Sequence, residues 1–138
     1  MWRIIVADDH EIVRKGVCAV LGSQKNIEVS DEASNGQEAV LKALRLIPDL
    51  IIMDVTMPVL DGLSATRQIK ESLPKIPIII LSMHDGPEMI RAVQVAGAQG
   101  FVTKKDVATA LLEAVDAVLH GETFFKPHLA VPGIEARI

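Results

Sequence analysis

Short apolar runs alternate with amphipathic stretches along the chain, and this alternation constrains the fold more than any other feature. The apolar runs predict five strands, at residues 3–7, 27–33, 50–53, 78–81 and 99–103. Apolar residues at helical spacing predict five helices, at residues 11–21, 37–47, 62–72, 87–96 and 107–119. Strict alternation of strands and helices predicts an α/β fold with a parallel, doubly wound sheet and right-handed crossovers.

Glycine, proline and capping residues support these boundaries. Gly22 and Gly121 follow predicted helices at positions that favour glycine, and Pro48 breaks the second helix. Asp61 is a suitable N-cap for the third helix. The pattern alone leaves two arrangements open, a five-stranded flavodoxin-like sheet and half of a Rossmann fold.

Composition excludes several classes of function. A chain of 138 residues fits one domain, and 49% hydrophobic residues suit a sheet covered on both faces. The net charge of -4, without a basic run, argues against direct binding to nucleic acid. The single Cys18 cannot form an internal disulfide, which favours a reducing cytoplasm. We expect no signal peptide and no membrane segment, since the apolar runs are far too short to cross a bilayer.

Polar residues follow four of the predicted strands. Asp8 and Asp9 come after the first strand, Asp54 ends the third, Ser82 follows the fourth and Lys104 follows the fifth. Ligands of open α/β sheets bind outside the carboxyl ends of the strands. Each residue taken alone has an ordinary interpretation as a turn, a cap or a solvated charge. Together they predict one functional rim.

The chemistry of this rim indicates phosphoryl transfer. Three neighbouring carboxylates repel one another, and a hard cation such as Mg²⁺ removes that conflict. A carboxylate can act as a nucleophile and form an aspartyl phosphate. A lysine and a metal ion can neutralise charge on the transferred group, and a serine hydroxyl can donate to it.

Signature segments give the chain a resemblance to the receiver domains of bacterial two-component response regulators, CheY-like domains that are phosphorylated on aspartate. The resemblance covers residues 3–120, and the segments that carry it are 6–10 (VADDH), 53–58 (MDVTMP), 61–62 (DG), 81–82 (LS) and 96–104 (AGAQGFVTK). It implies the flavodoxin-like sheet, with strand order 2-1-3-4-5 and five helices.

The resemblance also assigns roles at the rim. Asp54 is implied as the phosphoacceptor, with a sensor histidine kinase as the donor partner. Asp8, Asp9, the Asp54 carboxylate and the backbone carbonyl of Thr56 are implied as ligands of Mg²⁺, with Mn²⁺ as an alternative. Lys104 is implied to pair with the phosphoryl group.

Further residues are implied to act in switching and in setting the lifetime of the phosphoryl group. Ser82 would move toward the phosphoryl oxygen and Phe101 would rotate inward with it, although Phe101 also fits a role as a packed core aromatic. Thr56 and Met83 would flank the phosphoryl group and tune its hydrolysis. Because Met83 is bulky, we expect slow self-dephosphorylation.

Details at residues 8–10, 82–85 and 118–121 resemble the NarL/FixJ branch, whose members carry a C-terminal LuxR-type helix-turn-helix. We therefore expect a receiver domain at residues 1–121 and the start of an interdomain linker at 122–138. The chain would act as a switch in transcription regulation and not as an enzyme. DNA would be bound only through a C-terminal domain missing from this chain, and a homodimer on phosphorylation is compatible with the resemblance.

Some features depart from the family pattern or fit other classes. Lys104 is followed by Lys105, where many receivers have proline. A haloacid-dehalogenase-like phosphatase would need a second aspartate at position 56, which is Thr56. An Asp8-Asp9 pair would repel the phosphate of a flavin cofactor, and no Gly-x-Gly-x-x-Gly follows the first strand. The histidines show no metal-ligand spacing, and we expect His10 to be exposed beside the rim.

Overall fold

The computed structural model describes residues 1–125 and contains one parallel five-stranded sheet. The strands are β1 (Trp2–Ala7), β2 (Ile27–Ala33), β3 (Leu50–Asp54), β4 (Ile78–Ser82) and β5 (Gly100–Thr103). Their spatial order is β2-β1-β3-β4-β5. This order confirms the flavodoxin-like prediction and rejects the Rossmann half.

Five α-helices connect and cover the strands, as the alternation predicts. They are α1 (Glu11–Gly22), α2 (Gly36–Leu46), α3 (Gly62–Ser72), α4 (Pro87–Ala96) and α5 (Val107–Leu119), with a short 3₁₀ helix (Lys104–Asp106) before α5. The bounds of α4 and α5 agree with the prediction, and those of α1 and α2 differ by one residue. Within residues 1–125, no helix is both long enough and apolar enough to cross a membrane.

The sheet separates two hydrophobic clusters, because successive side chains of a strand point to opposite faces. Ile5, Ile51 and Ile80 belong to the cluster under α2, α3 and α4. Ile4 and Ile52 belong to the cluster under α1 and α5. Every residue of β3 and β4 is buried, which explains why both strands are continuous apolar runs.

Side-chain caps and one close backbone contact fix the start of α3. The Asp61 side chain accepts a hydrogen bond from the Ser64 backbone N–H at 2.8 Å, which confirms the predicted N-cap. Gly62 donates its backbone N–H to the Val55 carbonyl at 2.8 Å. A Cβ at position 62 would lie 2.0 Å from the Asp54 carbonyl oxygen, so only glycine fits. The β3–α3 loop is therefore held tightly against the carboxyl end of β3.

The chain continues along the sheet after α5. The Phe124 backbone N–H donates to the Gln99 carbonyl at 3.0 Å, and the Phe101 N–H donates to the Phe124 carbonyl at 2.8 Å. Phe124 is only 7% exposed and forms a parallel bridge with Gly100. The domain boundary at Gly121 stays a prediction, and most of the predicted linker, residues 126–138, lies outside the described residues.

Candidate functional site

Parallel pairing brings the predicted rim residues to one edge of the sheet. Ala7 pairs with Met53 and Asp54 pairs with Leu81, so Asp8 follows β1 at the level where Asp54 ends β3. Lys104 follows Thr103, the last residue of β5. The carboxylates therefore project from the neighbouring ends of β1 and β3. The ammonium reaches them from the end of β5, on the far side of β4.

Lys104 lies between two buried carboxylates. Its Nζ is 3.0 Å from Asp54 Oδ2 and 3.3 Å from Asp8 Oδ2. The side chains of Asp8, Asp54 and Lys104 are 0%, 3% and 10% exposed, respectively. Ion pairs removed from water in this way are screened little by salt. The ammonium is thus fixed beside the carboxylate that the sequence predicts as nucleophile.

Burial and neighbouring charges perturb both partners of this ion pair. Burial raises the pKa of Asp54, the Asp8 charge raises it further, and the Lys104 ammonium opposes the increase. Burial lowers the pKa of Lys104, but the hydrogen bond and charge of Asp54 together with the charge of Asp8 raise it above the ordinary lysine value. Lys104 therefore stays cationic in the neutral pH range and can balance negative charge at Asp54.

The oxygen donors around Asp54 fit a hard divalent cation. Asp8, Asp9, His10 and Asp54 each offer one ligand atom, and these four atoms lie within 4.8 Å of one another. The Oδ2 atoms of Asp8 and Asp54 are buried, and both face the Lys104 ammonium, at 3.3 and 3.0 Å. Carboxylate oxygens with free lone pairs are the ligands that Mg²⁺ prefers. The residues present therefore fit the implied metal.

The two predicted switch residues lie at the ends of β4 and β5. Ser82 is 3% exposed, and its Oγ accepts a hydrogen bond from the His84 backbone N–H at 3.0 Å. Phe101 is fully buried and pairs with Ile80 across the sheet. The ordinary interpretation of Phe101 as a packed core aromatic thus describes this conformation, in which the ring already lies inside.

The two residues predicted to tune hydrolysis are exposed at the same edge of the sheet. The Thr56 backbone N–H donates to Asp54 Oδ1 at 3.4 Å, and its side chain faces solvent. Met83 directly follows Ser82 and is 63% exposed. Both residues are therefore accessible to solvent.

Sequence reasoning missed a supporting arginine. Arg14 donates from Nη1 to the Asp8 backbone carbonyl and from Nε to Glu32 Oε1, both at 2.8 Å. Its side chain is 15% exposed. Arg14 thereby joins the loop after β1 to the edge strand β2. Its place six residues after Asp8, one turn into an amphipathic helix, was the signal available in the sequence.

The position of His10 was predicted only in part. The side chain is 63% exposed, as expected, but Nδ1 lies 3.3 Å from Asp9 Oδ1 and 3.4 Å from Asp8 Oδ1. Linear spacing did not reveal the whole cluster because Asp54 joins it from β3, which is distant in sequence although it pairs with β1.

Comparison with known proteins identifies relatives of this chain. The family model of the response regulator receiver domain matches residues 4–116. The response regulator protein VraR of Staphylococcus aureus is 40% identical over 130 residues, which cover 94% of this chain and 62% of VraR. The chain thus spans less than two thirds of the length of this relative.

Solved structures give the same result at the level of the fold. A LuxR-family two-component response regulator from Aurantimonas superposes with a TM-score of 0.89 at 35% identity, covering 99% of this chain and 98% of the other. The isolated receiver domain of RcsB from Salmonella enterica, solved with a phosphomimetic beryllofluoride, gives a TM-score of 0.81 at 29% identity. That match covers 89% of this chain and 91% of the other.

Proposed function

This chain belongs to the response regulator receiver domain family of two-component systems, and we propose that it is a switch in which Asp54 accepts a phosphoryl group from a sensor histidine kinase. The observation that carries the proposal is the buried ion pair between Lys104 Nζ and Asp54 Oδ2 at 3.0 Å. It combines a carboxylate nucleophile with a fixed cation that can balance a phosphoryl group.

In the proposed reaction, a carboxylate oxygen of Asp54 attacks the phosphorus of a phosphohistidine in line. The new O–P bond forms while the P–N bond breaks, and the imidazole nitrogen leaves with the electron pair. Lys104 stays within reach of the acceptor and stabilises negative charge on the transferred group. A carboxylate has no proton to lose before it attacks, so no base in this chain needs to activate Asp54.

We propose that Asp8, Asp9, Asp54 and the backbone carbonyl of Thr56 hold Mg²⁺, with Mn²⁺ as an alternative. The bound ion would neutralise charge on the phosphoryl oxygens. Asp8 would contribute a carboxylate oxygen from a side chain that is fully buried. Asp9, 29% exposed, would close the pocket from the solvent side.

Phosphorylation would shift the conformation through Ser82. Its Oγ now accepts the His84 N–H, and it would instead donate its own proton to a phosphoryl oxygen. The loop at residues 83–85 would lose this contact, and Phe101 would stay in its inward position as β4 and α4 adjust. Converting a mostly inactive population into a mostly active one takes about 5.5 kcal/mol of differential interaction. Because the Lys104–Asp54 ion pair is present before phosphorylation, the difference would come from the charge-assisted hydrogen bond of Ser82 and from new contacts of Lys104 with the phosphoryl charge.

We propose that the output is transcription regulation, through a LuxR-type helix-turn-helix outside these residues. Similarity to a LuxR-family regulator supports this, as does the greater length of VraR. The receiver would form a homodimer on phosphorylation, bind no DNA itself and promote only its own phosphorylation and dephosphorylation. A cytoplasmic location and tuning of the phosphoryl lifetime by Thr56 and Met83 stay predictions.

Intact mass spectrometry after incubation with acetyl phosphate tests the proposal. The chain should gain one phosphoryl group in Mg²⁺ and none in excess chelator. Asp54→Asn should abolish the gain, because the amide is a poor nucleophile. The control is Asp116→Asn, whose carboxylate is 80% exposed on α5 and should not matter. Unchanged labelling of Asp54→Asn, or equal labelling without the metal, would contradict the assignment.

A further inference from the structure

We propose that Thr103 and Asp106 are positioning residues for Lys104, because the hydrogen bond between their side chains fixes the turn that carries the Lys104 ammonium to Asp54. The inference rests on the proposed function for the role of Lys104. It concerns the contacts that hold the ammonium in place, and both residues act through Lys104 and not on the phosphoryl group.

The Lys104 side chain spans a long distance from its strand to its partners. Lys104 follows β5, and β4 lies between β5 and β3. Two strand spacings, about 10 Å, therefore separate the strand that leads to Lys104 from the strand that ends at Asp54. The Nζ nevertheless lies 3.0 Å from Asp54 Oδ2. A lysine stem that crosses this gap has little slack, so a shift of the Lys104 backbone would move the ammonium away from the acceptor.

The backbone at Lys104 has only weak restraints of its own. Residues Lys104–Asp106 form a single turn of 3₁₀ helix, whose hydrogen-bond geometry is poorer than that of an α-helix. The next residue is Lys105, and lysine does not fix φ as proline does. The turn therefore depends on contacts outside its own backbone to keep its shape.

A side-chain hydrogen bond closes this turn. Thr103 lies directly before the turn, and its Oγ1 donates to Oδ2 of Asp106, at the end of the turn, at 2.6 Å. A hydroxyl that donates to a carboxylate typically lies about 2.5–2.7 Å from it, and such charge-assisted bonds are strong. Thr103 is 2% exposed, so water competes little for this bond.

The two ends of the hydrogen bond belong to packed elements. Thr103 is the last residue of β5 and pairs with Ser82 of β4. Asp106 leads into α5, which buries Leu111 and Val115. The bond therefore joins the sheet to the helix on either side of Lys104.

The direction of the Asp106 carboxylate is an independent indication. Asp106 is the N-cap residue of α5, where an aspartate ordinarily accepts hydrogen bonds from backbone N–H groups of the first turn. Within the described residues, α5 has no such side-chain cap. The carboxylate instead accepts the Thr103 hydroxyl, so the link across the turn replaces a favourable helix cap.

Acetylation of lysines with acetic anhydride, followed by peptide mass spectrometry, tests the inference without any phosphodonor. In the parent chain Lys104, whose side chain is 10% exposed, should react more slowly than the exposed Lys105. Thr103→Val should speed acetylation of Lys104 by about tenfold, the shift in population expected when a hydrogen bond to a charged group is lost. Lys105 should react equally in both chains. Thr109→Val is the matched control, because the Thr109 hydroxyl donates to the Asp106 backbone carbonyl at 3.3 Å and not across the turn.

Two further variants separate the hydrogen bond from the fold of the chain. Thr103→Ser keeps a hydroxyl and should protect Lys104 as the parent chain does. Asp106→Ala removes the same bond from its less buried end and should expose Lys104 as Thr103→Val does. The second substitution keeps the test decisive if Thr103→Val does not fold.

The rate of labelling by acetyl phosphate gives a second readout. Because a misplaced ammonium no longer balances the transferred charge, Thr103→Val should lower the maximal rate by at least about tenfold. The Mg²⁺ concentration for half-maximal labelling should stay within about twofold, since the proposed oxygen ligands are unchanged. Thr103→Ser should restore the rate. A general loss of stability would instead lower the fraction of chains that can be labelled.

The outcomes distinguish this inference from the proposed function. The inference is wrong if Lys104 stays protected in both Thr103→Val and Asp106→Ala, if Thr109→Val exposes it equally, or if the exposed variants are labelled at the parent rate. Exposure of Lys104 in both variants of a chain that acetyl phosphate does not label at Asp54 would refute the proposed function but leave the positioning of the ammonium standing. Normal labelling of the parent chain, with Lys104 protected in every variant, would do the reverse.

Discussion

Gly62 lies directly against the backbone of Asp54, at the end of the strand that carries the proposed phosphoacceptor. A Cβ there would lie 2.0 Å from the Asp54 carbonyl oxygen and 2.8 Å from its carbonyl carbon. Since both contacts are with backbone, no side-chain rotation can relieve them, and Gly62→Ala must displace β3 or α3. We expect a loss above the usual 1–3 kcal/mol or so for overpacking, and slower labelling of Asp54.

Urea unfolding and the rate of acetyl phosphate labelling measure both effects of Gly62→Ala. Gly16→Ala is the matched control, because a Cβ at position 16 of α1 meets no atom within 4 Å. That change should raise the free energy of unfolding by about 1 kcal/mol through helix propensity. Equal stability of Gly62→Ala and the parent chain would show that the contact can relax.

Arg14 supports the proposed metal ligand Asp8 through a hydrogen bond to its backbone. It hydrogen bonds to the Asp8 carbonyl and to Glu32, so it fixes the peptide that carries the Asp8 carboxylate. Arg14→Met should raise the Mg²⁺ concentration needed for half-maximal labelling by about tenfold, as loss of supporting contacts around a metal site does. Lys15→Met is the control, since Lys15 contacts the same Glu32 side chain without reaching Asp8. Similar shifts in both variants would assign the effect to Glu32 alone.

At the scale of secondary-structure elements, the N-cap of α3 makes the free energy of unfolding depend on pH. The hydrogen bond from the Ser64 backbone N–H lowers the pKa of Asp61, and burial partly opposes this. A carboxylate whose folded pKa lies below its unfolded value contributes stability that is present above the unfolded pKa. This contribution is lost as the pH falls through the folded pKa.

Replacement of the cap tests this linkage. Asp61→Ala should cost about 1 kcal/mol at pH 7. The difference from the parent chain should shrink below about pH 4, where the carboxyl group becomes protonated. Ser64→Ala keeps the backbone donor and should retain the pH dependence. Chemical unfolding at several pH values measures the difference, and a difference that is constant down to pH 3 would exclude the charged cap as its source.

Local sequence signals predict the helices and strands, but they do not predict the contacts that form between them. Pro87 and Gly97 bound α4 as expected, and Gly121 follows α5. The capping carboxylate of Asp61 was also recognised. The contacts of Arg14 with Asp8 and Glu32 depend on how α1 packs against β2, which no local pattern specifies. The rim itself was predictable because parallel strands place their carboxyl ends at one edge.

At the scale of the whole molecule, the alternating pattern determined the layers, and the family resemblance was needed for the strand order. The sequence predicts only the start of an interdomain linker after Gly121. Phe124 packs with the cluster under α1 and α5, and Phe125 packs against the cluster on the other face of the sheet. These neighbouring side chains point to opposite faces, as in extended backbone, and Phe124 forms one isolated parallel bridge with Gly100 at the free edge of β5. A two-residue aromatic run carries no such information by itself.

Truncation tests whether this edge segment, residues 122–125, is part of the domain. A chain ending at residue 121 would uncover the β5 edge and lose Phe124, which is 7% exposed. A chain ending at residue 125 keeps both. Removal of a buried phenylalanine side chain costs about 3–5 kcal/mol, so the shorter chain should unfold at a clearly lower urea concentration.

Phe124→Ala in the full chain separates the contribution of the ring from that of the backbone pairing, since it retains the hydrogen bonds with Gln99 and Phe101. If residues 122–125 were only a linker, all three chains would share one unfolding midpoint, because a linker contributes no buried area. A lower midpoint for both altered chains places the end of the domain beyond Gly121.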